Sequence, residues 1–181
     1  METFGTGGGG RGWGPRVAHN GRMELVTARG ARLVLVPTPD VPRTKGVRAG
    51  RGPTGVPLMC RLVLERPNAP VDEIVAPVAR LGEAHRLADW LAGVADGTVN
   101  PGTVPGAPAM RFTAPYLALD LAARDAGAAT FRVHLAVPPE GGGVGDVHDL
   151  LPRRVPLTVL LEVVAAAADA WRAEIPPLPA E

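Results

Sequence analysis

Four histidines and a few carboxylates are the side chains of this sequence that could carry out acid–base or metal chemistry. His85 and Asp89 are one helical turn apart, so the carboxylate could orient the imidazole as a general base. A surface pair that only stabilises its helix explains the same spacing. No two histidines have the spacing of metal ligands on a common element. We therefore expect no catalytic residues and no metal site.

The possible nucleophiles are equally few. Serine is absent from the chain, which excludes a serine nucleophile. Cys60 is the single cysteine, and it alternates with Leu58, Leu62 and Leu64. Because that pattern is typical of the buried face of a strand, we interpret Cys60 as a small buried hydrophobe rather than a reactive thiol. A single cysteine also excludes an intramolecular disulfide and a cysteine-based metal site.

Asp120 lies in a predicted β-hairpin. Apolar residues alternate from Leu117 to Leu121 and again from Phe131 to Val137, on either side of a turn that contains glycine. Two such runs are typical of an antiparallel hairpin with one buried face. Asp120 then lies on the outer face, with Arg132 or His134 as its cross-strand neighbour. Charge pairing across the strands explains these three residues without any chemistry.

The other elements follow from hydrophobic periodicity. Strands are expected at 23–28, 32–36, 58–65 and 154–159, and a shorter extended stretch at 110–113. Pro156 lacks a backbone N–H, which confines the strand at 154–159 to a sheet edge. Long Pro/Gly-rich loops are expected at 37–57, 98–108 and 138–152.

Two helices are predicted, at 81–95 and 160–175, because apolar residues recur there at helical spacing. Trp90 flanks the buried stripe of the first helix, and Leu160 and Trp171 belong to that of the second. Since helices and strands do not alternate regularly, the sequence predicts an α+β fold. We expect one antiparallel β-sheet of about six strands, with the two main helices packed on one face.

The sequence predicts one folded domain with a tail at each end. Residues 1–22 are rich in glycine and arginine without periodicity, so we expect a disordered tail there, or a misassigned start with Met23 as the true first residue. Residues 23–176 are expected to form a single α+β domain, and 177–181 a short tail. No run of about 18 apolar residues is present, and the N-terminus has no apolar signal segment, so a cytoplasmic protein is expected.

Charge is distributed asymmetrically. Residues 1–56 carry nine Lys/Arg and three Asp/Glu, a net of +6, whereas residues 57–181 carry ten Lys/Arg and fifteen Asp/Glu, a net of −5. An acidic body argues against nucleic-acid binding and fits a basic partner. A surface that is acidic only for solubility explains the same charge.

Several segments between residues 58 and 175 resemble those of one family. They are Leu87–Leu91 leading to Ala95–Gly97, Phe112–Pro115 followed by alternating leucines, Arg132–Leu135 leading to Pro138-Pro139, and the Ala-rich stretch 165–171 ending in a tryptophan. Their order and spacing resemble the WapI-type immunity proteins, small bacterial proteins that neutralise a cognate polymorphic toxin domain. The chain departs from the family where it has Ala114 before a proline instead of glutamate. The acid expected near the double proline is either replaced by Val137 or displaced to Glu140, and the family's aromatic-rich strand is not recognisable at 58–66.

The resemblance implies a non-enzymatic protein that binds the C-terminal domain of a toxin, without a cofactor. Many such toxins attack nucleic acids and are basic, so acids of the chain would contact them. The expected contact residues are Asp120, Glu140, Asp146 and Asp149. Two other classes of function remain open: a small-ligand-binding domain or enzyme with a pocket between sheet and helices, and an adaptor unrelated to toxins.

Overall fold

The computed structural model describes residues 22–38, 55–101, 109–137 and 150–178. They form two four-stranded antiparallel sheets and two helices. Sheet 1 consists, in spatial order, of β1 (Met23–Val26), β2 (Arg32–Pro37), β3 (Pro57–Glu65) and β4 (Asp72–Arg80). Sheet 2 consists, in spatial order, of β5 (Ala109–Arg111), β6 (Leu117–Arg124), β7 (Ala128–Val137) and β8 (Leu151–Leu160). The helices are α1 (Leu81–Asp96) and α2 (Leu161–Glu174).

The predicted α+β class is confirmed, but the single sheet of about six strands is wrong. β4 was not predicted, because Pro77 and the acidic residues at its start obscure the alternation of Ile74, Ala76 and Val78, all of which are buried. β4 runs directly into α1 at Leu81, so the chain leaves sheet 1 before sheet 2 begins. Hydrophobic periodicity identifies a strand's buried face but not its pairing partner, and so it could not separate the two sheets.

The predicted hairpin and edge strand are confirmed. β6 pairs with β7 in antiparallel register, and Asp125 organises their turn by accepting the backbone N–H groups of Gly127 and Ala128, each at 2.8 Å. β8 pairs with β7 on one side and is the last strand of sheet 2, as Pro156 predicted. Leu160 was expected in the buried stripe of the second helix. It instead ends β8 and is 50% exposed, because α2 begins one residue later.

The two sheets and both helices share one hydrophobic core. The helices lie antiparallel to each other, with Trp171 of α2 fully buried and its indole Nε1 donating to the carbonyl oxygen of Ala84 at 2.9 Å. The ring of Trp90, which is only half-buried, lies 5.8 Å from that of Phe131 on β7. The two tryptophans therefore join α1 to α2 and to sheet 2.

Two polar side chains tie the ends of α1 to sheet 2. Buried Glu83 accepts the backbone N–H of Arg80 at 2.8 Å, and the N–H and hydroxyl of Thr113, just after β5, at 2.9 and 2.5 Å. At the other end, Arg124 of β6 donates to the carbonyl oxygens of Val94 and Ala95. An acid near a helix N-terminus and a cation near its C-terminus both complement the helix dipole.

Most of the expected N-terminal tail lies outside the described residues. Arg22, the first described residue, forms a 2.8 Å ion pair with Glu24 of β1. The expected short tail at 177–181 is described only as far as Leu178. Among the described residues, no helix is long and apolar enough to cross a membrane.

Candidate partner-binding surfaces

Asp120 lies on the outer face of sheet 2, as the hairpin predicts, but its side chain is covered. The residue is only 5% exposed. Its carboxylate accepts a hydrogen bond from Nη2 of Arg111 at 2.9 Å, and its other oxygen lies 2.7 Å from Nε2 of His134. Arg132 is its partner in the strand register but is exposed. The other three predicted contact acids, Glu140, Asp146 and Asp149, lie outside the described residues.

The surface around Asp120 is basic. Strand register places Arg111, Ala118, His134 and Arg154 opposite one another across all four strands of sheet 2. We call these four residues the basic row. A depression of about 320 Å³ lies against it, because Ala118 is small and the larger side chains stand on both sides. Its lining also includes Phe112, from the connection between β5 and β6.

Carboxylates gather instead between the two helices. Asp96, near the C-terminus of α1, lies across from Glu162 and Asp169 of α2, and all three are exposed. They border an open depression of about 450 Å³, which we call the acidic groove. The rest of its lining is apolar and consists of Ala92, Ala95, Leu161 and Ala165. The groove therefore combines negative charge with a floor of small side chains.

Asp96 stays ionised to a lower pH than an ordinary aspartate does. Asp96 accepts the backbone N–H and the hydroxyl of Thr98, each at 2.8 Å. These bonds, with a smaller effect from the guanidinium of Arg124, hold the pKa of Asp96 below its ordinary value, because they favour the ionised form. No spacing in the sequence indicates that Asp96 lies beside Glu162 and Asp169. Only the antiparallel packing of the helices brings them together.

His85 and Asp89, the pair considered for general-base catalysis, each contact a residue in or just after α2. Nε2 of His85 lies 2.9 Å from the carbonyl oxygen of Pro176, and Asp89 accepts a hydrogen bond from Arg172 of α2 at 3.1 Å. Both side chains therefore hold the C-terminal end of α2 against α1. Cys60 is buried, as expected, and burial raises the pKa of its thiol to about 12, which keeps it protonated at neutral pH. The described residues contain no group of three His, Cys, Asp or Glu side chains that could hold a metal ion.

The chain was compared with known protein families. The family of WapI-like immunity proteins matches residues 57–179, about two thirds of the chain. The chain belongs to the WapI-like immunity protein family. Comparisons with curated proteins and with solved structures found no match. Membership assigns the chain in general terms to the toxin-neutralising immunity proteins, which are generally not enzymes.

The matched part of this WapI-like immunity protein begins at the first residue of β3. It contains both surfaces, the basic row of sheet 2 and the acidic groove of the helices. β1 and β2 precede the match, yet they complete sheet 1 and contribute four fully buried residues to the core: Met23, Leu25, Leu33 and Leu35. Residues outside the family match are therefore integral to the fold of this immunity protein.

Proposed function

We propose that this protein binds a basic toxin domain and neutralises it by covering its working surface, without turnover. The observation that carries the proposal is the family match over residues 57–179. The distribution of charge supports it. The helical layer carries five exposed carboxylates against two arginines, Arg86 and Arg172. These carboxylates belong to Asp89, Asp96, Glu162, Asp169 and Glu174.

The acidic groove is the surface of the described residues that best fits a basic partner. Lysine or arginine side chains entering it would meet Asp96, Glu162 and Asp169, and their aliphatic stems would cover the alanine floor. Opposite charges on two proteins accelerate their encounter and fix their relative orientation. A toxin that acts on nucleic acid needs a basic working surface, so the same attraction would direct the immunity protein to the surface that it must cover.

The acids predicted from the sequence remain candidates for the contact. Glu140, Asp146 and Asp149 belong to the acidic connection between β7 and β8 and are proposed as further contacts. Asp120 is proposed too, but its carboxylate is held by Arg111 and His134. A basic group of the partner would reach Asp120 only if the side chain of Arg111 moved aside.

The test is co-expression with the toxin domain encoded beside this chain, followed by co-purification and measurement of the association rate. We expect cell survival and a stoichiometric complex whose association slows as salt is added. The double variant Glu162→Gln with Asp169→Asn should slow association about tenfold. The double variant Glu24→Gln with Glu73→Gln is the control, because it removes two charges from sheet 1 and leaves the groove intact.

Two results would overturn the proposal at different levels. Equal slowing by both double variants would show that net charge matters and the groove does not. If no toxin is captured, and the purified protein instead turns over or tightly binds a metabolite, then the toxin-binding function is wrong.

A further inference from the structure

The outer face of sheet 2 has more positive charge than its own acids can neutralise. Asp120 is the one carboxylate on this face among the described residues, and it already bonds both Arg111 and His134. Arg132 and Arg154 are exposed on this face, and neither has a carboxylate at ion-pair distance within the described part of the chain. This sheet therefore presents guanidinium groups that an anionic partner could bind.

The basic row is held in place before any partner arrives. The side chain of Asp120 is only 7% exposed and fixes one side chain from β5 and one from β7. On the neighbouring connection, Glu83 fixes Thr113 through its backbone and hydroxyl, next to Phe112 in the lining of the depression. Side chains that are already ordered lose less entropy on binding, which favours affinity.

We propose that the basic row binds the carboxylates of an extended acidic segment in a protein partner. Guanidinium groups match carboxylates in a bidentate geometry. Neighbouring strands lie about 4.8 Å apart, so Arg111 and Arg154, three strands apart, are separated by about 14 Å. An extended peptide covers that length in about four residues. Acidic residues at every second position would therefore face the row along one side of the peptide.

A peptide fits this surface better than a nucleic acid does. Nucleic-acid binding relies on many phosphate contacts spread over a basic surface. Here residues 57–181 carry a net charge of −5, and the helical layer of the same body is acidic. The depression is also partly apolar, since Phe112, Ala118 and Ala136 contribute to its lining. An apolar side chain between two carboxylates would fill it. This surface lies on sheet 2, outside the acidic groove, and the proposal does not depend on the identity of the toxin.

The experiment uses the full chain and a fluorescein-labelled octapeptide of alternating glutamate and alanine, with binding followed by fluorescence anisotropy. We expect saturable binding that weakens with salt. Combining Arg111→Gln and Arg154→Gln should raise the Kd about tenfold or more, because two charge-assisted bonds are lost. Arg154→Gln alone, at an exposed position, should raise the Kd by a smaller factor without disturbing Asp120. The matched control is Arg61→Gln on sheet 1, which should leave the Kd unchanged within about twofold.

Two further probes separate the possible ligands. An octapeptide of alternating lysine and alanine should not compete, and a single-stranded DNA oligonucleotide should compete poorly. Absence of peptide binding, or equal loss of binding in Arg154→Gln and Arg61→Gln, would overturn the proposal. Tighter binding of the oligonucleotide than of the acidic peptide would also overturn it, because the surface would then recognise phosphate.

Discussion

The outer faces of the two sheets differ in whether their cationic side chains have carboxylate partners. On sheet 1, Arg32 and Glu65 are direct register partners joined by two hydrogen bonds of 2.6 Å, and Arg61 and Glu73 are joined by bonds of 2.8 and 3.1 Å. On sheet 2, the single acid Asp120 faces several cations. Both sheets have four antiparallel strands, so the difference comes from side chains alone.

The comparison separates the roles of the two sheets. On sheet 1, Arg32 and Arg61 each have a carboxylate partner of their own, and charges balanced one to one in this way offer little to a partner. Cations in excess, as on sheet 2, are available to an external anion. We therefore infer that sheet 1 is mainly structural. We infer that sheet 2 and the helical layer bind partners.

The largest expected effect concerns Trp171, a fully buried core residue that joins the two helices. Trp171→Ala should lower the free energy of unfolding by about 3–5 kcal/mol, because it empties a large buried site and releases α1 from α2. Urea denaturation followed by circular dichroism measures this. Trp171→Phe, which keeps most of the ring, is the control and should cost less. A cost below about 1 kcal/mol for the alanine variant would show that the core closes around the gap.

The acids of the two faces should differ in their contribution to stability. Asp120→Asn should cost about 1–3 kcal/mol, because a buried carboxylate loses two charge-assisted bonds. Glu73→Gln should cost less than about 1 kcal/mol, because its pair with Arg61 is exposed. Urea midpoints of the two variants give the comparison directly. Equal costs would mean that the burial of Asp120 adds nothing, and the contrast between the sheets would be lost.

The paired charges of sheet 1 should contribute a pH-dependent stability. The hydrogen bonds from Arg32 lower the pKa of Glu65 from its ordinary value of 4.5. A carboxyl whose folded pKa is depressed stabilises the protein above the unfolded value, and this stability is lost as the pH falls through the folded value. The difference in unfolding free energy between the wild type and Glu65→Gln should therefore be constant near neutral pH and shrink below pH 4.5. A difference independent of pH would refute this role of the pair.

The smallest effect is expected at the N-terminus. A chain that begins at Met23 loses the half-buried pair of Arg22 with Glu24 but keeps every residue of β1. Such pairs contribute about 0–1 kcal/mol, so the thermal midpoint should stay within a few degrees of that of the full chain. Differential scanning calorimetry measures it. A larger fall would show that residues before Met23 pack against sheet 1.

Local patterns predicted much of this fold. Periodicity located both helices, the hairpin of β6 and β7 and the edge strand β8, because each buries one face and leaves the other in water. The partition into two sheets depends on which strands pair over long distances, and no local pattern reports that. β4 was missed because proline and acidic residues dilute its alternation.

The candidate surfaces were less predictable. Asp120 was placed on the correct face, but its burial depends on Arg111, which belongs to a strand of only three residues. The acidic groove depends on the register of two helices that are separated in the chain by residues 97–160. Side chains brought together by tertiary packing leave no spacing in the sequence that would identify them.

The edges of the sheets have a consequence for self-association. An open strand edge presents unpaired N–H and C=O groups on which another chain can build. Here two edge strands, β1 and β5, have only four and three residues, and the two long ones each contain proline: Pro77 in β4, and Pro152 and Pro156 in β8. Proline has no N–H to donate, and a strand of three or four residues offers few groups to pair with, so the four sheet edges within the described residues resist strand addition. Copies of this protein can therefore accumulate side by side with little tendency to form intermolecular sheets or amyloid-like fibres.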